Sequence, residues 1–210
     1  MIQESLVLNF ESYKESAFNV ANECSKRGPR ALSDVELISM LFKLDAKTSA
    51  QWLDQMGSLS ALVNSSNSAQ AMIEFTSRYI KEEIKRGDAL NDVTAVRKYL
   101  VTRLRGYPYE VFACLFLDNK HRVIEYEELF KGTIDSASVH HREVVRQVIK
   151  HNAAAVIFAH NHPSGVAEPS QADHRITDKL KDALNLVDCR VLDHFIIGDE
   201  VISFAEKGYL

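Results

Sequence analysis

HNHPSGVAEPSQAD, residues 160–173, places two histidines one residue apart, then a serine, then an aspartate, in the pattern H-x-H-x7-S-x-x-D. In front of it runs Ala153-Ala-Ala-Val-Ile-Phe-Ala159, an uninterrupted apolar run of strand length. Such a run reads as a buried strand. If its period of two persists to the end, His160 and His162 share one face. Pro163 and Gly165 break the strand and turn the chain. Pro169-Ser170 then opens a helical pattern with Asp173 in its first turn. Two imidazoles and a carboxylate therefore converge at a strand-loop-helix junction. That is the ligand set of a catalytic zinc whose fourth position is left to water. Each residue alone has a blander use: a surface histidine pair, a helix N-cap at Ser170, a dipole-complementing acid at Asp173. The four together, behind a buried strand, favour the metal.

The rest of the chain is consistent with an enzyme-sized globular protein. Its 210 residues suffice for one large domain or two small ones. A hydrophobic share of 46% and a charged share of 26% are ordinary for such a protein. Net charge is −4, with basic and acidic residues interspersed, so no basic tract marks a nucleic-acid surface. Cys24, Cys114 and Cys189 lie far apart, which argues for reduced thiols in the cytoplasm. The first residues lack a basic stretch followed by an apolar core, and no apolar run approaches the roughly 20 residues that span a membrane.

Residues 1–90 read as a small all-helical domain. Glu11 to Lys26 ends at Gly28-Pro29. Ser33-Asp-Val-Glu36 is a capping box. Short helices follow over 48–56 and 58–63, and Ala69 to Arg86 carries apolar residues at helical spacing. The domain boundary is expected near Gly87 to Asn91. Residues 91–210 then alternate elements: a helix capped by Asp92, a strand over 110–117, a hairpin partner over 122–131, a helix from Ser138, the 153–159 strand, a helix over 170–186, and strands over 189–198 and 201–205. The order ββαβαββ predicts a layered α/β (α+β) domain with its site at strand ends.

Hydrolysis by a zinc-activated water needs a carboxylate outside the loop to carry the proton. Glu110 is the best candidate, because it heads an apolar strand where an unused charge is expensive. A solvated strand-end glutamate is the alternative. Glu127 and Glu128 sit among other charges, and Glu143 decorates a helix. Ser170 is left to stabilise a developing oxyanion. His140 and His141 read as exposed. Asp193 and His194 face opposite ways on a strand. One of them has a claim to support the metal from behind, although a core or edge role is favoured. A zinc nucleobase deaminase would need a P-C-x-x-C pair, and none occurs.

These residues carry a resemblance. H-x-H-x7-S-x-x-D with an upstream glutamate is the JAMM motif of MPN-domain metalloproteases. The stretches EVFACLFLDNKHRVI, GTIDSASVHHREVV, AHNHPSGVAEPSQAD and VLDHFIIG resemble the bacterial RadC family over residues 92–210. The resemblance implies a cytidine-deaminase-like layered fold, zinc on His160, His162 and Asp173, and Glu110 as the catalytic carboxylate. It makes a zinc-dependent peptidase or isopeptidase the leading expectation, with a peptide or protein as substrate. The alternative is a non-catalytic zinc-containing module acting with DNA or a protein partner. SKRGPRALSDVELISMLF is similar to the family's opening, but the usual Gly-Ile-Gly hairpin turn is replaced by Val63-Asn-Ser-Ser-Asn-Ser-Ala-Gln70. Without those glycines, backbone amides have no close approach to a phosphate, so residues 1–90 are expected to have little affinity for DNA.

Overall fold

The computed structural model describes residues 20–26, 28–86, 93–132 and 139–210. Contacts divide the chain into two compact units, Met1–Gln70 and Ala71–Leu210. The expected boundary at 87–91, the Asp92 cap, the Gly87 stop and the start of the first helix at Glu11 all lie outside the described residues.

The smaller unit is helical. Residues 20–26 form α1. α2 spans Asp34–Phe42, and the Ser33–Glu36 capping box is present in both directions. α3 (Ala46–Met56) is capped by Asp45, whose carboxylate accepts from Thr48 N. It starts two residues earlier than its apolar pattern suggested, because Asp45 supplies a stronger N-terminus than Thr48. α4 (Leu59–Ser65) is capped by Ser58. Ile38 and Leu62 are buried, and Phe42 meets Trp52 edge-on at 5.0 Å.

The larger unit is an α/β sandwich. α5 (Asn67–Arg86) enters it, with Ile80 and Ile84 in its core. α6 is Val93–Leu104. The sheet comprises β1 (Val111–Leu117), β2 (Val123–Lys131), β3 (Ala155–Asn161), β4 (Arg190–Ile197) and β5 (Val201–Ser203), in the order β2-β1-β3-β4-β5. Among the described strands only β3 and β4 are parallel, joined over one face by α8 (Gln171–Asn185). α7 (His141–Lys150) packs beside α8. β1 and β3 are buried at every residue, which explains why they read as continuous apolar runs without alternation. The alternation survives in what each side chain meets. Val111, Ala113, Leu115, Ile157 and Ala159 face α5 and α6, whereas Phe112, Cys114, Phe116, Val156 and Phe158 face α7 and α8.

Several expected boundaries move, and β3 runs over Ala155–Asn161 rather than 153–159, so that it takes in His160. α7 begins at His141 with His140 as an N-cap that makes no side-chain bond. Val139, 2% exposed, packs in the core ahead of the helix, and the expected cap Ser138 lies outside the described residues. β5 stops at Ser203, whose hydroxyl accepts from Glu206 N and starts a short helix, α9 (Phe204–Lys207).

Burial of ionisable groups gives this unit a definite alkaline limit. Burial pushes the Tyr99 and Tyr107 phenols up to about 12 and the Cys189 thiol up to about 11. Tyr126 and Cys114 are raised for the same reason. An acid with a raised folded-state pKa stabilises fully below its unfolded value, and the contribution is lost as pH climbs toward the folded one. The unfolded values are 9.0 for the thiols and 10.0 for the phenols. The denaturation midpoint should therefore be flat up to about pH 9 and fall between there and about pH 12. Phenolate absorbance of these tyrosines should appear with unfolding. Their titration near pH 10 in a chain that keeps its folded circular dichroism would contradict this.

Candidate metal centre

β3 ends on the site. His160 pairs with Phe112 of β1 on one side and Ile196 of β4 on the other, and its ring is fully buried. After Asn161 the ladder stops, but His162 N still donates to Ile197 O at 2.8 Å, which carries the strand's alternation one residue further. The two rings therefore emerge on one side, with their Nε2 atoms 3.0 Å apart. The chain then turns: Gly165 N donates to His162 O, and Gly165 adopts φ 84°. Its carbonyl accepts from Asp199 N at 2.7 Å. A methyl group on Gly198 would lie 2.3 Å from that same carbonyl oxygen. The turn is thus seated against the β4–β5 connection at backbone contact.

The returning chain starts α8, with Ser170 as N-cap. Its hydroxyl accepts from Asp173 N, and Ser170 N and Oγ both donate to Asp173 Oδ2 at 2.7 Å. The other carboxylate oxygen, Oδ1, lies 3.1 Å from His160 Nε2, and Oδ2 lies 3.7 Å from His162 Nε2. His160, His162 and Asp173 form a group whose ligand atoms all lie within 4.8 Å of one another. The sequence-predicted ligands are thus brought together, and the capping use of Ser170 and Asp173 coexists with the cluster.

The protonation states suit a cation. His162 Nδ1 sits 2.6 Å from Val166 O. A carbonyl can only accept, so Nδ1 carries a hydrogen, and Nε2 is the nitrogen turned toward the cluster. Burial would raise the Asp173 carboxyl, but the His160 imidazole beside it and the hydrogen bonds from Ser170 overcome it and hold it well below the usual carboxylate range. Burial pushes the His160 imidazole down, against the pull of Asp173. Deprotonated nitrogens beside an ionised carboxylate are what a metal ion binds.

Glu110 stands half-buried just before β1. Phe112 pairs with His160, so the alternation puts Glu110 on the histidines' side of the strand. Its charge bears on His160, raising that ring's affinity for a proton. Its placement depends on Asn161, the residue between the two histidines. That side chain is 1% exposed and points to the opposite face. Its Oδ1 accepts from Val111 N at 2.8 Å, while its Nδ2 donates to Tyr107 O and Tyr109 O. Glu110 O in turn accepts from Gly132 N at 2.9 Å. The backbone carrying Glu110 is thus pinned by the same strand end that carries the two histidines.

Sequence reasoning underrated His194 and missed Thr177 and Asn161. His194 is fully buried, its Nε2 2.9 Å from His160 Nδ1 and its Nδ1 2.6 Å from Thr177 Oγ1. Asp193 faces away and accepts from Ser203 Oγ and Ala205 N, so it secures the end of the sheet. Glu127 is paired with Lys150 and His151, and Glu128 with Arg103 and Tyr107, which occupies both alternative carboxylates elsewhere.

A sheet of this order with a His-His-Asp cluster at the end of its third strand defines a JAB/MPN-type domain. A family model described as a RadC-like JAB domain matches residues 90–209. A UPF0758 protein of Nitrosococcus oceani is 52% identical over 207 residues, covering 88% of this chain and 92% of its own. Its counterpart in Thioalkalivibrio sulfidiphilus is 52% identical over 205 residues with the same coverage, and one in Vibrio cholerae is 50% identical over 207. The chain belongs to the RadC family. No helix among the described residues is long and apolar enough to cross a membrane.

Proposed function

We propose that this chain is a zinc-dependent hydrolase of amide bonds, a peptidase or isopeptidase acting on a peptide or protein. The observation that carries the reading is the convergence of His160 Nε2, His162 Nε2 and the Asp173 carboxylate at spacings of 3.0, 3.1 and 3.7 Å. Ligands at zinc's usual bond lengths stand roughly 3.3 Å apart along the edges of a tetrahedron. Three protein ligands leave the fourth position open, as in catalytic rather than structural sites. When bound there, zinc supplies Lewis acidity that polarises a carbonyl and brings the pKa of water toward neutrality.

The protein's residues divide the remaining work. His160 and His162 offer lone pairs on Nε2, and Asp173 offers Oδ1. Glu110 takes a proton from the attacking water and returns it to the departing amine. Ser170 holds Asp173 in place and, by turning its hydroxyl outward, donates to the carbonyl oxygen as negative charge builds on it. Duplex DNA is not the proposed partner, because the α4–α5 connection runs through Ser66 with no glycine. Incubation of the zinc-loaded full chain with a peptide library, read by mass spectrometry, tests the proposal. Cleavage abolished by a chelator and restored by zinc supports it, and no cleavage across a diverse library counts against it.

Ser170→Ala separates the two uses of the serine. Loss of the N-cap should cost about 0.5–2 kcal/mol of stability, with zinc retained. If the hydroxyl also meets the oxyanion, turnover should fall on the order of 10²–10³-fold. Lower stability with unchanged turnover would leave Ser170 as a cap alone.

A further inference from the structure

We propose that His194 and Thr177 are positioning residues that lock His160 in its Nδ1–H form and so aim its Nε2 lone pair into the cluster. The inference rests on the metal reading above and adds to it a chain of hydrogen bonds whose direction is forced at its far end. Thr177 Oγ1 lies 2.7 Å from Asp173 O, four residues back along α8. A carbonyl oxygen can only accept, so the single hydroxyl hydrogen of Thr177 goes there. Oγ1 must then accept at its other contact, 2.6 Å from His194 Nδ1. His194 Nδ1 therefore carries a hydrogen.

His194 is walled by Phe112, Phe158 and Phe204, with ring centroids 4.9–6.0 Å away, and is 0% exposed. Such an environment keeps an imidazole neutral. A neutral ring with its hydrogen on Nδ1 has only a lone pair on Nε2. His160 Nδ1, 2.9 Å from that lone pair, must be the donor. The neutral His160 ring is thereby left with its own lone pair on Nε2, facing His162 and Asp173. His162 reaches the same state through Val166 O. Two imidazole lone pairs 3.0 Å apart beside a carboxylate repel one another unless a cation joins them. The relay closes on itself, since Asp173 contributes its carbonyl to one end and its carboxylate to the other. A histidine stands here where a carboxylate or backbone carbonyl more often supports a metal-binding imidazole.

The first test uses the unaltered, metal-free chain. Long-range proton–nitrogen correlation should show His194 with a protonated Nδ1 and a bare Nε2. A protonated Nε2 on His194 would overturn the relay, and this reading needs no variant that folds. The second test is Thr177→Val, which keeps the shape and removes the hydroxyl. The His194 hydrogen should then move toward Nε2. Zinc affinity, measured by competition with a chromophoric chelator, should fall about 10–100-fold, the usual worth of a residue that orients a metal-binding histidine. The absorption envelope of the cobalt(II)-loaded protein should shift. Thr177→Ser should restore all three. Thr177→Val with wild-type nitrogen signals and affinity would sink the inference. A wild-type chain that takes up no zinc would overturn the metal reading, while the His194 nitrogens would still decide the relay.

Discussion

His160→Ala and His162→Ala should each leave the purified chain with zinc near background, where the unaltered chain is expected to hold one zinc per molecule. The expectation follows from the size of the ligand set. Three protein atoms converge, and a site reduced to one imidazole and one carboxylate binds weakly against any chelator or buffer. The two variants differ in what else they disturb. His160 is fully buried, stacked on Phe112 and bonded to His194. Removing it opens a cavity and leaves a buried nitrogen without its partner, so the fold should also lose stability. His162 is partly exposed, and its loss should spare the melting temperature of the metal-free protein. Elemental analysis beside thermal unfolding separates the two effects. Full zinc retention in both variants would remove these residues as ligands, and with them the assignment of the site.

Glu110→Gln should keep the zinc and lose turnover by on the order of 10²-fold or more, the usual worth of a general acid–base group. Glutamine preserves the side chain's size but accepts no proton at neutral pH. The strand end beneath it is held by backbone bonds to Gly132 and by Asn161, neither of which involves the Glu110 carboxylate. The geometry should therefore survive the change. Zinc stoichiometry and turnover are to be measured on the same preparation, with the substrate found by library screening. Loss of zinc, as in His160→Ala, would make Glu110 a fourth ligand and leave no tetrahedral position for water. Retention of both zinc and activity would place the base elsewhere. Glu127 and Glu128 are already engaged by Lys150, His151, Arg103 and Tyr107, so a water-mediated or substrate-borne base would then be sought.

The sheet was largely legible because β1 and β3 are unbroken apolar runs, and the hairpin from β1 to β2 is marked by Asp118-Asn-Lys-His121. The convergence of His160, His162 and Asp173 was legible for a local reason: strand end, turn and helix start are contiguous, so spacing alone brings the three together. Asn161 was not, because its partners are Val111 at the start of β1 and Tyr107 and Tyr109 just before it, 50 to 54 residues earlier, and nothing in a single sequence declares that pairing. Thr177 looks like one more polar residue on an amphipathic helix until β4 is laid beside α8. His194 carried a weak signal, since a histidine amid the apolar residues of VLDHFIIG must be satisfied by something. The start of α7 was placed too early, because His140, the residue at its N-cap, makes no side-chain capping bond and so leaves no capping signal in the sequence.

Gly198 limits how this protein can vary. A side chain at that position meets the backbone of Gly165 and the amide of Ala167, not a side chain that can swing away. Any mutation there must displace the turn that leaves His162, and changing Gly165 in compensation is closed off by its φ of 84°. The two positions thus form a pair with no viable single step away from glycine and little prospect of a joint one. Drift in this part of the chain is confined to the outer residues of the turn, such as Val166, which meets the site only through its carbonyl and is 62% exposed. In a library of random variants, functional survivors should therefore be rich in changes at 166 and nearly empty at 165 and 198.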